Sequence, residues 1–152
     1  MNRRQLLTAI SLAPLVNVFP VRADSSGSAL DISAHKGKVV MVDFWASWCG
    51  PCRQSFPWLN DMSGKYQAQG LHIIGINLDA ESESAKQFLS EIPANFEIVY
   101  DPQGSYASFY DLKAMPTSLL FDRTGKIASR HNGFLSDDTP EYEARLLKLL
   151  SA

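Results

Sequence analysis

Hydrophobic runs and amphipathic segments alternate along most of the chain and predict a regular succession of strands and helices. Residues Val39–Trp45 form a nearly continuous apolar run, which is typical of a central strand covered on both faces. A second apolar run covers residues 71–78, and residues 81–92 place their apolar side chains on one helical face. The remaining predicted strands are 96–100, 118–121 and 126–130, and the remaining predicted helices are about 52–69, 106–112 and 139–150.

The resulting order, βαβαβαββα, predicts the fold class. Strands separated by helices imply a parallel sheet covered by helices, so we expect an α/β fold. The turn at residues 122–125 joins the last two strands into a β-hairpin, which adds an antiparallel edge. In the last helix, Leu146, Leu147 and Leu150 are expected to face inward. A chain of 152 residues suits a single domain.

The N-terminal stretch is typical of an export signal rather than of the fold. It has a basic start with Arg3 and Arg4, an apolar run over 6–18, and a small-residue cleavage motif that ends at Ala23. The apolar run is shorter than the roughly 20 residues of a membrane-spanning helix. An uncleaved anchor, a twin-arginine signal and a buried N-terminal helix are the alternatives. We therefore predict an oxidising compartment, with a signal peptide over 1–23, a linker over 24–30 and the folded domain over 31–152.

Composition excludes several classes of function. The net charge is −2, from 14 basic and 16 acidic residues, and no basic block is present, so we expect no nucleic-acid partner. Two cysteines are too few for a disulfide-rich scaffold or a four-cysteine zinc site. His35, His72 and His131 are scattered along the sequence, and no metal site is expected from them.

The candidate chemistry lies in the cysteine pair Cys49 and Cys52, which begins a predicted helix. The unpaired N–H groups and the dipole of a helix N-terminus favour a thiolate there. We therefore expect Cys49 to be the exposed nucleophile and Cys52, one turn later, the more buried resolving thiol. A zinc site would need a second cysteine pair, and a haem anchor would need histidine where Arg53 stands. A redox-active pair is the interpretation that fits best.

Asp43 is the second candidate residue, because it interrupts an apolar strand where a carboxylate is costly. One interpretation is a strand-edge aspartate that points to solvent. The other is a buried carboxyl with a raised pKa, which accepts the proton of Cys52 when that thiol attacks a mixed disulfide.

Residues 42–52 resemble the active-site segment of thioredoxin almost residue for residue, and Pro57 matches the proline within the active-site helix of that family. Residues 115–117 resemble the cis-proline loop of the family. The resemblance implies a thioredoxin fold, with a central mixed sheet flanked by helices and an extra strand–helix insertion. It also implies that no cofactor is needed, that Pro116 faces the disulfide and that the Met115 backbone pairs with an extended substrate. The implied substrate-binding residues are Trp48, Gly50, Pro51, Met115 and Pro116.

The wider pattern resembles the exported TlpA-like branch of thioredoxins, which includes cytochrome c maturation reductases. Residues 36–40 and the segment around Phe88 carry this likeness. Many members of that branch have glutamate three residues after the second cysteine and asparagine in the first strand. Here these positions hold Ser55 and Asp43, which favours a general thiol reductase over a cytochrome-specific one.

The expected function is that of a periplasmic thiol–disulfide oxidoreductase that reduces disulfides of partner proteins. The family resemblance further implies a membrane electron donor. A cytochrome c maturation reductase and an apocytochrome-binding module are the alternatives. A thiol peroxidase is a weaker one, because Ala46 stands where a Thr-x-x-Cys motif would have threonine.

Overall fold

The computed structural model describes residues 27–152, so the predicted signal peptide and the first part of the predicted linker, 24–26, lie outside the described residues. Within that range, no helix has both the length and the apolar character needed to cross a membrane.

The described residues alternate between strands and helices in the predicted order, and element boundaries shift by a few residues at most. Three short 3₁₀ turns, Ser33–His35, Gln67–Gln69 and Ser136–Asp138, accompany the regular elements. The elements are β1 (Val39–Trp45), α1 (Gly50–Tyr66), β2 (Leu71–Asn77), α2 (Ser82–Glu91), β3 (Glu97–Tyr100), α3 (Ser105–Phe109), β4 (Thr117–Phe121), β5 (Ile127–Asn132) and α4 (Thr139–Leu150).

The strands form one mixed sheet in the order β3-β2-β1-β4-β5. The first three are parallel, whereas β4 is antiparallel to β1 and β5 is antiparallel to β4. All seven residues of β1 are buried, as its apolar sequence predicted. This mixed sheet with flanking helices is the thioredoxin fold that the sequence indicated.

The strand register brings two loops to one edge of the sheet. Phe44, near the end of β1, pairs with Thr117 at the start of β4 because the two strands are antiparallel. The segment that follows β1 and the segment that precedes β4 therefore meet at the same edge. These segments carry Cys49 and Met115 respectively.

Helix α1 packs on the sheet through an apolar stripe. Trp45 of β1 contacts Phe56 of α1 and Phe88 of α2, with ring centroids 4.8 Å apart in both pairs. Burial of such side chains contributes roughly 1.5–3 kcal/mol each, so this cluster holds α1 and α2 against β1. In α4, Leu146 is buried but Leu147 is exposed, which corrects the prediction for Leu147. Successive residues lie about 100° apart around a helix, so Leu146 and Leu147 cannot both face the sheet.

Candidate active site

A disulfide between Cys49 and Cys52 occupies the N-terminus of α1. Cys49 is the N-cap residue, and its Sγ accepts a hydrogen bond from the backbone N–H of Cys52 at 3.2 Å. The helix start thus directs a donor group at this sulfur, as expected from the sequence. The unpaired N–H groups of a helix N-terminus favour negative charge at that atom after reduction.

The predicted exposure of Cys49 is wrong for the disulfide form. Cys49 is only 5% exposed and Cys52 is fully buried. The Cys49 sulfur is bonded to Cys52, and both residues belong to the hydrophobic cluster beneath α1. The order of accessibility nevertheless agrees with the assignment of Cys49 as the outer sulfur.

The loop that leads to Cys49 is held by hydrogen bonds to the buried carboxylate of Asp79, which was not predicted from the sequence. Asp79 follows β2, and its two oxygens accept hydrogen bonds from the Ser47 N–H at 2.9 Å and from the Ser47 hydroxyl at 2.8 Å. The Asn77 side chain donates a further bond to Asp79 at 2.7 Å. The signal was an acidic residue directly after a buried strand, at the edge where the active-site loop begins. These bonds hold the backbone just before the disulfide.

An open groove of about 520 Å³ runs beside the disulfide. Trp48, Cys49, Gly50 and Pro51 line one side, and Met115 is among the residues on the other. The Trp48 side chain is 71% exposed, so a large apolar surface stands next to the sulfur. The groove is therefore suited to an extended, partly apolar segment.

Pro116, the remaining predicted binding residue, is buried and is joined to Met115 by a cis peptide bond. It is not among the residues that line the groove. Trp45, which lies on the same strand as Asp43, is fully buried and belongs to the core.

Asp43 is buried in the centre of the sheet, so the interpretation of a solvent-facing aspartate is wrong. The residue is 1% exposed, and its Oδ1 accepts a hydrogen bond from the Ser118 hydroxyl at 2.6 Å. Its Oδ2 has no hydrogen-bond partner among residues 27–152. Burial raises the pKa of Asp43 from 3.8 to about 7, and the Ser118 hydrogen bond opposes that rise.

A small cavity of about 30 Å³ adjoins Asp43. This is room for about one water molecule. Ser55 is buried at the same cavity, and its hydroxyl donates to the carbonyl oxygen of Cys52 at 3.0 Å. The two positions at which this chain departs from the TlpA-like pattern therefore face one space. The lining also includes Ser118, Ser129, His131, Tyr142 and Arg145.

Two of the three histidines lie together in the structure, which corrects the interpretation that all three are scattered. His35 and His72 stack with their ring centroids 3.9 Å apart. Because β1 and β2 are parallel, with Val40 opposite His72, the turn that precedes β1 lies beside the start of β2. His131, in contrast, lines the cavity next to Asp43.

Comparisons with known proteins agree with this geometry. The Redoxin family model matches residues 11–146. Thiol-disulfide oxidoreductase ResA of Bacillus thuringiensis is 30% identical over 131 residues, covering 86% of this chain and 74% of that protein. A Chlorobium tepidum crystal structure described as thiol:disulfide interchange protein DsbE is 48% identical, with a TM-score of 0.76 over 78% of this chain and 84% of that one.

Bacillus subtilis StoA shares the fold at 23% identity, with a TM-score of 0.64 over 73% of this chain and 84% of that one. The chain therefore belongs to the Redoxin family and is a thioredoxin-fold thiol–disulfide oxidoreductase of the TlpA-like type.

Proposed function

We propose that this oxidoreductase works in the periplasm as a reductant of protein disulfides. In the proposed reaction, the Cys49 thiolate attacks a partner disulfide and forms a mixed disulfide, and one partner sulfur leaves as a thiolate. Cys52 then attacks Cys49, releases the second partner thiolate and closes the Cys49–Cys52 disulfide. Two electrons pass to the partner, and the two thiol protons of the enzyme end on the partner or in solvent.

The observation that carries the proposal is the disulfide at the N-terminus of α1, beside an open apolar groove. The helix start favours the thiolate of Cys49, which makes this sulfur a good nucleophile and a good leaving group. An extended partner segment fits along Trp48 and Met115, where its sulfur comes next to Cys49. Gly50 and Pro51 line the same groove beside Cys49.

Asp43 is proposed to accept the proton of Cys52 during resolution of the mixed disulfide. A general base works best when its pKa lies near the working pH, and burial brings the pKa of Asp43 to about 7. The cavity between Asp43 and Ser55 has room for one water molecule, which suits transfer through a single water. The Oδ2 of Asp43, which has no hydrogen-bond partner in the part of the chain that the structure describes, is the oxygen available for that proton.

The proposed compartment rests on the predicted signal peptide over residues 1–23. In an oxidising compartment a reductant must be recharged after each turnover. We therefore include a membrane electron donor in the proposal, as the family resemblance implies. The redox state of the exported protein in cells tests both the compartment and the donor. We expect an oxidised cysteine pair in cells that lack membrane thiol donors and a reduced pair in cells that have them.

The decisive experiment is the redox potential of the Cys49–Cys52 pair, measured against glutathione or dithiothreitol buffers. The Gly50-Pro51 dipeptide is that of thioredoxin, whose potential is about −270 mV, whereas strong oxidants lie near −120 mV. We expect a value closer to the first. A potential above about −150 mV would overturn the assignment as a reductant.

Two variants separate the proposed roles of the cysteines. Cys49→Ala should abolish turnover of a protein disulfide, whereas Cys52→Ala should accumulate the mixed disulfide and so trap natural partners. Trapped apocytochrome would specify a role in cytochrome c maturation. Catalytic consumption of hydrogen peroxide by the reduced wild-type protein would instead favour a thiol peroxidase.

The role of Asp43 has its own test, because Ser55 faces the same cavity. Asp43→Asn should slow resolution by about 10²–10⁴-fold, the usual contribution of a general base. Asp43→Asn/Ser55→Glu should recover part of that rate by supplying a carboxyl from the helix. Unchanged resolution in Asp43→Asn across neutral pH would show that Asp43 has only a structural role.

A further inference from the structure

Three side chains with metal-binding atoms converge at the end of the sheet opposite the disulfide. The His72 Nε2 lies 2.7 Å from Oε2 of Glu97, and the His35 Nε2 lies 3.9 Å from the same oxygen. One ligand atom from each residue lies within 4.8 Å of the other two. The three residues come from the turn before β1, from β2 and from the first position of β3, so only the folded chain brings them together.

We propose that His35, His72 and Glu97 bind a divalent first-row transition-metal ion, with Zn²⁺ as the representative case. Two imidazoles and one carboxylate form a ligand set that Zn²⁺ prefers, with its fourth position left to water. Imidazole suits Zn²⁺, Cu²⁺ and Ni²⁺, whereas Mg²⁺ and Ca²⁺ prefer oxygen ligands. All three side chains are partly exposed, so an ion reaches them from solvent.

The present spacing needs only a small adjustment to reach coordination geometry. Tetrahedral ligands at about 2.0–2.2 Å from Zn²⁺ lie about 3.3–3.6 Å from one another. The His72–Glu97 distance of 2.7 Å must therefore lengthen slightly, and the His35–Glu97 distance of 3.9 Å must shorten slightly. The two rings are tilted by only 20° from parallel, so they must also rotate apart to point both nitrogens at one ion. Partly exposed side chains have the freedom for that rotation.

The site is independent of the thiol chemistry. His72 lies opposite Val40, near the start of β1, whereas Cys49 follows the end of the same strand. Metal binding would join three segments of the folded chain and would stabilise it by mass action. The proposed metal site therefore does not depend on the proposed function of the Cys49–Cys52 pair.

The test is calorimetric titration of the oxidised, untagged protein with ZnCl₂, since the disulfide keeps both cysteines from binding zinc. We expect saturable binding of one ion, and no binding of MgCl₂. His35→Ala, His72→Ala and Glu97→Gln should each weaken the affinity by at least about tenfold, given that even indirect ligand partners contribute about 10–100-fold. His131→Ala is the matched control and should leave the affinity unchanged.

A second readout distinguishes coordination from a loss of folding. In NMR spectra of the wild-type protein, ZnCl₂ should shift or broaden the ring signals of His35 and His72 and leave those of His131 unchanged. His72→Ala should keep the disulfide-reductase activity, which reports that the fold is intact. The proposal is overturned if no saturable binding occurs, or if the affinity is the same in all three ligand variants. It is also overturned if zinc perturbs only His131.

Discussion

Replacement of Asp43 by asparagine should make the stability of the protein less dependent on pH. The aspartate lies in the middle of β1 with one hydrogen bond, from Ser118, and with its second oxygen unpartnered among the described residues. Asparagine keeps the shape of the side chain and can keep the bond from Ser118, but it cannot ionise. Any pH-dependent difference between the two proteins therefore reports the cost of charging this group in the core.

The expected magnitude follows from the pKa of Asp43, which burial raises from 3.8 to about 7. Between these values the folded protein holds a proton that the unfolded chain has released, so stability falls as the pH rises. A rise of about three units corresponds to about 4 kcal/mol at 1.36 kcal/mol per unit. The destabilisation is absent below about pH 4, grows through neutrality and reaches its full value above pH 7.

Urea unfolding of both oxidised proteins from about pH 4 to about pH 8.5 measures this difference. The free energy of unfolding of Asp43→Asn, minus that of the wild type, should increase by about 4 kcal/mol over the range. An unpartnered buried amide costs about 1–3 kcal/mol, but that cost is the same at every pH. Asp137→Asn, at an exposed position, is the control and should show little change. A difference that stays constant within about 1 kcal/mol would refute a raised pKa for Asp43.

Three further predictions concern the hydrogen bond to Asp43, the reactivity of the cysteines and the N-terminus of the exported protein. Ser118→Ala removes a hydrogen bond to the Asp43 carboxylate, which is worth about 1.5–3 kcal/mol, so it should raise the pKa of Asp43. The pH midpoint of mixed-disulfide resolution should then rise by roughly one to two units. Stopped-flow rates that keep the wild-type midpoint would contradict this prediction. In the reduced protein, iodoacetamide should modify Cys49 before Cys52, with a pH midpoint below the ordinary thiol value of about 8.5, as peptide mapping would show. N-terminal sequencing of exported protein should begin near Asp24, whereas retention of the leader in membranes would indicate an anchor.

The sequence predicted the fold well where local pattern and tertiary context agree. The apolar run of β1 implied burial on both faces, and the structure places this strand at the centre of the sheet. The cysteine spacing and Pro51 predicted the start of α1 at the disulfide. Asp43 was identified for the same reason, because a lone carboxylate within such a run stands out from its surroundings.

Features that depend on the approach of distant segments were not predictable in this way. The pairing of His35 with His72 requires the parallel register of β1 and β2, which no local pattern specifies. The bonds from Ser47 to Asp79 join residues that are 32 positions apart. The burial of Cys49 likewise depends on the cluster beneath α1, whereas the sequence showed only its place at a helix start.

The cost of Asp43 bears on why it is the one carboxyl that lines its cavity among residues 27–152. The cost of charging Asp43, about 4 kcal/mol, is a large part of the roughly 5–15 kcal/mol that stabilises an ordinary domain. A buried carboxyl with this cost is therefore expected to be kept only where it has a chemical role. Many members of the TlpA-like branch, which this chain resembles, have asparagine at the position of Asp43 and glutamate at that of Ser55. Ser55 and Asp43 face the same space of about 30 Å³. Two carboxylates there would repel each other, so the pKa of one of them would be strongly raised. Relative to that pattern, this chain has serine in place of glutamate on α1 and aspartate in place of asparagine on β1. Under the proposed function, the proton acceptor therefore lies on the central strand rather than on α1, at another wall of the same cavity.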